Sequence, residues 1–281
     1  MMFEDLTIAI PVRDRQKNLE AQFTNIAGID CRKLVVDSSE SPYEGDIPGD
    51  VQYEYIGPTV YHDMRVQLVN WVDTKFMIDC PDDDILMLDT VRQCVDFLRE
   101  HDSFSVCDGK YVLNRRGDMK YPGKHQASVR IFGGAEYGVV ERISFLLKKS
   151  YYGRQHSVLR SAAYKEVVRI YDENRELPCH PTSNSPGMDI STNVILAIVG
   201  NIRTFNSTYC IRPLNKCARV ISRDDVKNEL RLGDASMSQY AISDDGLRPI
   251  IELLVKYNGV TFDEARCMLR KAYSVRYGWA K

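Results

Sequence analysis

The sequence has no long apolar run. None approaches the roughly 20 residues that a helix needs to cross a bilayer, and residues 1–6 (MMFEDL) lack a basic stretch followed by an apolar one. The expectation is a protein that is neither secreted through a signal peptide nor integral to a membrane. No CxxC pair and no zinc-type spacing occur among the eight cysteines (31, 80, 94, 107, 179, 210, 217 and 267). They read as reduced thiols of a cytoplasmic protein rather than as a disulfide or zinc framework. Charge of one sign is also lacking: 37 Lys and Arg face 39 Asp and Glu, for a formal net charge of -2. Such a balance argues against a chain whose main task is to grip a phosphate backbone, because that needs clustered cations. Internal repeats and low-complexity tracts are absent as well.

What is present is ordinary globular material, 281 residues of which 44% are hydrophobic and 27% charged, enough for a sizeable core. The first hundred residues alternate short apolar runs with helical spacing, which predicts an α/β fold with a mostly parallel sheet flanked by helices. Strands are expected at 6–12 (LTIAIPV), 33–36 (KLVV), 52–56 and 75–78 (KFMI), with helices at 15–26, 59–72 and 85–100. Further on come a strand at 103–113, a helix at 141–149, a strand at 151–159, a helix at 161–173 and helical spacing over 189–199. The tail reads as a small helical extension, one helix opened by Thr261 with Glu264 three residues on, a capping box in which each side chain bonds the other's backbone amide. Ligands of open α/β sheets bind outside the carboxyl ends of strands, so the loops at 13–15, 37–39 and 79–84 are expected to share one crevice.

Asp82, Asp83 and Asp84 follow the fourth strand. Three consecutive carboxylates repel one another and raise one another's pKa unless something positive sits among them. A Mg²⁺ or Mn²⁺ ion prefers oxygen ligands, takes one or two protein carboxylates and completes its shell with water and phosphate; Asp82 and Asp84, spaced by one residue, suit it. The bland alternative is that the run caps a helix beginning near Ile85, since carboxylates there accept orphan amide hydrogens and meet the helix dipole. Arg13, Asp14 and Arg15 after the first strand suit a nucleotide and its phosphates, with Pro11 fixing the strand exit, or form a solvated turn. Asp37 suits a base or ribose, or a turn; Arg65 suits a pyrophosphate, or is a surface charge. His156 and His180 lie where a third metal ligand or a leaving-group contact could come from, but a lone histidine is more often a hydrogen-bonded structural residue, and both are read so.

The order TIAIPVRDR, LVVDSS, an Arg-bearing helix and FMIDCPDDD resembles the nucleotide-binding half of family 2 glycosyltransferases of the GT-A (Rossmann-like) fold, over roughly the first 110 residues. The segments ERISFLLKKSYYGRQHSVLRS and DISTNVILAIVGNIRTFNSTYCIR resemble a bacterial and viral subgroup. The resemblance implies a GT-A domain over 1–220, with 1–110 binding a nucleotide-sugar and 111–220 facing the acceptor, and a helical extension over 221–281. It implies a UDP- or GDP-type sugar donor held by Pro11, Arg13, Asp14, Asp37, Arg65, Asp82 and Asp83, and Mn²⁺ or Mg²⁺ on Asp82 and Asp84. Asp189 matches the base of inverting members, which deprotonates a hydroxyl acceptor, most commonly a glycan or polysaccharide. Where the usual pattern runs straight into the acidic motif, Cys80 and Pro81 separate Asp79 from the run here, which leaves its register open by a residue or two. The alternatives are a sugar nucleotidyltransferase, against which stands the absence of a glycine-rich phosphate loop after the first strand, and a non-catalytic binding or assembly protein. Arg266, Arg270, Lys271, Tyr273, Arg276, Tyr277 and Trp279 mix cations with aromatics, which suits a peripheral membrane contact, an acceptor glycan or a nucleic acid, though such a face more often covers a core or builds a homodimer.

Overall fold

A computed structural model describes residues 3–114, 126–127, 137–149, 154–174, 186–213 and 244–277. Strands β1 (Phe3–Val12), β2 (Cys31–Asp37), β3 (Val51–Tyr55) and β4 (Phe76–Asp79) run parallel, with β1 paired to both β2 and β4. Helices α1 (Leu19–Ile26) and α2 (Tyr61–Trp71) make the crossovers. The remaining strands are β5 (Ile85–Leu86), β6 (Phe104–Asn114), β7 (Gln126–Ala127), β8 (Val158–Arg160) and β9 (Asn201–Pro213). Among the described residues the sheet order is β3-β2-β1-β4-β8-β6-β9-β5, with β7 on β6. Beyond β4 the sheet is mixed: β8 is antiparallel to β4 and β6, β9 is parallel to β6, and β5 is antiparallel to β9. The other helices are α3 (Leu88–Glu100), α4 (Val139–Lys149), α5 (Ser161–Glu173), α6 (Pro186–Val199), α7 (Asp244–Asn258) and α8 (Phe262–Tyr277).

Alternation along each strand sorts side chains to two faces. Leu6, Ile8, Ile10 and Val12 of β1 join Val35, Phe76 and Ile78 in a core with α1 and α3, while Ala9, Leu34, Val36 and Met77 face the core built with the other helices. The same parity turns Asp79 toward α2 and α5, because it lies two residues after Met77. Leu247, Ile251, Leu254, Leu269 and Tyr273 of α7 and α8 are buried in that second core together with Ile143 and Ile195. Tyr273 is therefore a core residue, as the core-covering reading of this stretch expects, and the side chains of Arg276, Tyr277 and Trp279 lie outside the described residues. The capping box at α8 forms as expected, with Glu264 accepting from the Thr261 amide at 2.8 Å and Thr261 from the Glu264 amide at 3.3 Å. No helix among the described residues is long and apolar enough to cross a membrane.

Three predicted elements differ. Residues 16–18 form a 3-10 turn and α1 begins only at Leu19. The helix expected over 85–100 begins at Leu88, because Ile85 and Leu86 pair with Ile211 and Cys210 as β5, a tertiary pairing that overrides local apolar spacing. Of the strand expected over 151–159, only β8 is a strand, and Arg154–His156 is a 3-10 turn.

Glu166 of α5 ties the tail to the domain. Arg169 donates to it at 2.8 and 2.9 Å and Lys256 of α7 at 2.8 Å. The Arg169 hydrogen bonds, with Lys256 adding and burial opposing, hold its carboxyl down at about 2. A depressed folded pKa stabilises above the unfolded value and is lost as pH falls through the folded one. Melting temperatures of the wild type and Glu166→Gln should therefore differ at neutral pH and converge as pH drops from about 4.5 toward about 2.

Candidate functional site

The topology reverses direction between β1 and β4, which is where an open α/β sheet leaves a crevice at its carboxyl edge. The chain leaves β1 through a sharp turn. Asp14 has a positive φ of 55°, a conformation that Asp tolerates through its short polar side chain. Its amide donates to Ser39 Oγ at 2.8 Å, and its Oδ1 accepts from the Glu40 amide at 3.3 Å. Asp14 thus joins the first loop to the second. Arg15 joins the first to the third: its guanidinium lies 3.2 Å from Asp82 Oδ1 and also contacts Asp83. The three loops meet in one crevice.

A cavity of about 530 Å³ opens there, and Pro11, Arg13, Asp82 and Asp83 line it together with Arg15, Pro81, Tyr61, Met64, His156 and Arg212. Asp82 is buried, and its carboxyl is pushed up to about 6, first by burial and then by Asp83, against the pull of Arg15 and a hydrogen bond from Asn18. The acidic run is not a helix cap: α3 starts at Leu88, its N-cap is Met87, and no side chain caps it.

Four expected site residues do not line the cavity. Asp84 is buried and accepts from the partly exposed Arg212 through both oxygens, at 2.8 and 2.6 Å, in a bidentate pair. The carboxylates facing the cavity are therefore Asp82 and Asp83, and the expected pairing of Asp82 with Asp84 gives way to adjacent residues because β5 turns Asp84 toward β9. Arg65 is buried 2.9 Å from Asp79, contacts the Tyr61 and Tyr164 hydroxyls and lies over the Tyr61 ring. Burial, the largest influence, would lower its pKa, yet Asp79, Tyr164 and Tyr61 together outweigh it and the net shift is upward. Its charge is neutralised inside the fold instead of facing a phosphate. Asp37 is fully buried and accepts from Ser39 at 2.9 Å and from Gln16 and Tyr53 at 2.6 Å each. Asp14 forms the turn already described. Asp189 sits in α6, its side chain outside the described residues, and His180 lies outside them altogether.

Arg212 was not singled out from the sequence, and His156, weighed there as a metal ligand or leaving-group contact, was read as structural. His156 closes the turn Arg154–His156, whose first amide donates to Asn193 of α6 at 2.7 Å. Beneath the turn, Arg154 pairs with buried Asp108, which also accepts from Ser157 at 2.9 Å. Burial, with Arg212 and Arg65 nearby, drives the His156 pKa well below its ordinary value. Its Nδ1 lies 2.8 Å from the Asp79 carbonyl oxygen. A carbonyl only accepts, so Nδ1 carries the proton and Nε2 of the neutral ring keeps its lone pair. Regular spacing could not have marked this residue, since it depends on a turn; Arg212 could have been marked as a lone cation ending the apolar YCI run.

No family model matches the sequence, and neither does the sequence of any curated protein. Among solved structures the chain is similar to residues 1–349 of TarS from S. aureus, a GT-A glycosyltransferase, with a TM-score of 0.55 at 12% identity over 98% of this chain and 72% of that one. This likeness establishes the fold: the chain has the GT-A α/β fold. The TarS fragment with UDP-GlcNAc (TM-score 0.49, 12% identity, 97% of this chain and 90% of that one) and the mannosyltransferase PcManGT from Pyrobaculum calidifontis with GDP-Man and Mn²⁺ (0.49, 13%, 99% and 76%) also match.

Asp84 is itself buried, so removing Arg212 strands its carboxylate. Arg212→Leu should lower stability by about 3–5 kcal/mol, and Arg212→Leu with Asp84→Leu should recover most of it; urea unfolding midpoints at constant slope measure both.

Proposed function

We propose that this chain is a glycosyltransferase that takes a nucleoside-diphosphate sugar into this cavity and passes the sugar to a hydroxyl acceptor. The observation that carries the reading is the lining itself: at the switch point of a GT-A sheet, Asp82 and Asp83 share one cavity with the guanidinium groups of Arg13, Arg15 and Arg212. Such a mixture suits a diphosphate accompanied by a cation. TarS has been solved with UDP-GlcNAc, which makes that compound the first donor to try.

Asp82 and Asp83 fit a Mn²⁺ or Mg²⁺ ion. They are hard oxygen donors, and no group of three or more His, Cys, Asp or Glu suited to a metal occurs among the described residues. That count agrees with an ion that keeps most of its positions for water and phosphate. The metal would supply charge stabilisation on the leaving diphosphate. Asp189 is the proposed base. It stands one helical turn before Asn193, the residue that holds the turn carrying His156, and loss of the proton to it as the hydroxyl attacks would invert the anomeric centre. Pro11 and Arg13 line the donor side. The nucleotidyltransferase alternative gains nothing from the geometry, because the exit from β1 is the arginine-bearing turn at Asp14.

Calorimetric titration with UDP, GDP, UDP-GlcNAc and GDP-mannose, with Mn²⁺ and with chelator, tests the donor site. One nucleotide should bind tightly only with metal, and binding should vanish in Asp82→Asn with Asp83→Asn. Absence of nucleotide binding in every condition, with that variant folded, would sink the reading. With a transferable donor and acceptor in hand, Asp189→Asn should cut turnover by about 10²–10⁴-fold while nucleotide affinity stays unchanged.

A further inference from the structure

Three arginines reach the cavity, and they differ in what already holds them. Arg212 is committed to the buried carboxylate of Asp84 by two hydrogen bonds at 2.8 and 2.6 Å. Arg13 is half-exposed, with Asp14 at the limit of an ion pair at 4.0 Å. Arg15 is also near half-exposed, but its guanidinium spans Asp82 and Asp83, the two carboxylates that line the cavity. A single positive charge therefore lies on the same oxygens that a divalent cation needs.

We propose that Arg15 is a phosphate-binding residue held in reserve, which leaves Asp82 and Asp83 when they take a divalent cation and then binds the diphosphate of the donor. The inference rests on the donor-site reading above and adds to it a coupling between the two ligands. Charge decides its direction. The two carboxylates and Arg15 together carry one negative charge, which repels a diphosphate. With a divalent cation on the carboxylates the same group carries one positive charge, and Arg15, now beside a like charge, is driven toward the nearest anion. Arg15 thus weakens the binding of metal alone and strengthens the binding of metal and nucleotide together. A guanidinium suits both positions because its fork of donors matches carboxylate and phosphate alike. The coupling is reciprocal: whatever factor the nucleotide adds to metal affinity, the metal adds to nucleotide affinity.

The test is the affinity of Mn²⁺ measured by electron paramagnetic resonance, alone and then with UDP and separately with GDP. The proteins are the wild type, Arg15→Ala, and Asp82→Asn with Asp83→Asn. Because Arg15 is largely at the surface, its variant should fold, which circular dichroism confirms. The expected result is Mn²⁺ binding alone that tightens by about fivefold or more in Arg15→Ala, and a gain from nucleotide that is smaller by about the same factor or more than in the wild type. Equal Mn²⁺ affinity in the wild type and Arg15→Ala, with binding lost in the double asparagine variant, would overturn the role of Arg15 and leave the donor site standing. Undiminished Mn²⁺ binding in the double asparagine variant would overturn both.

Discussion

Neutralising the charge of one short segment organises this molecule. Asp79, Asp82, Asp83 and Asp84 lie within six positions at the end of β4, where carboxylates left together would repel and protonate. Three arginines from different elements meet them: Arg65 of α2 meets Asp79, Arg15 after β1 meets both Asp82 and Asp83, and Arg212 of β9 meets Asp84. These ion pairs differ in burial and therefore in kind. Arg65 and Arg212 pair with carboxylates that are themselves buried and costly to strand, and they fix where α2 and β9 stand relative to β4. Arg15 makes a half-exposed contact, which holds little energy and can be exchanged for another cation. The permanent pairs frame the crevice, and the exchangeable one faces into it.

Much of the first half was legible because its signals are local. Apolar runs bounded by polar turns marked β1 to β4 closely, and the convergence of the loops after β1, β2 and β4 followed from the general geometry of α/β sheets. The acidic run was legible as a site but not in detail. Which aspartates face the cavity depends on β5, a two-residue strand whose existence rests on pairing with Cys210 and Ile211. No window of sequence around Ile85 contains that information, and its apolar spacing extends the helical pattern of α3 without a break.

The arginines show the same limit more sharply. Arg65 and Arg15 were both candidates for phosphate contact by residue type, and Arg65 stands much nearer the acidic run in sequence. Strand parity separates them: Asp79 faces α2, so Arg65 is drawn into the core beside Tyr61 and Tyr164, while Arg15 stays at the rim. Asp37 likewise occupies the expected place at the end of β2, yet Gln16, Ser39 and Tyr53 saturate it, and those partners come from three separate segments.

The pairing of Asp84 with Arg212 joins residues 128 positions apart, and this separation bears on how the protein comes into being. During synthesis from the amino end, β1 to β4 can meet long before β9 has left the ribosome, since each of their contacts closes a much shorter loop. Over that interval the carboxylate of Asp84 has no guanidinium, and the loop that carries the acidic run lacks the strand that aligns it. The loop at the end of β4 thus emerges well before it can be finished, its geometry waiting on a strand encoded more than a hundred codons downstream.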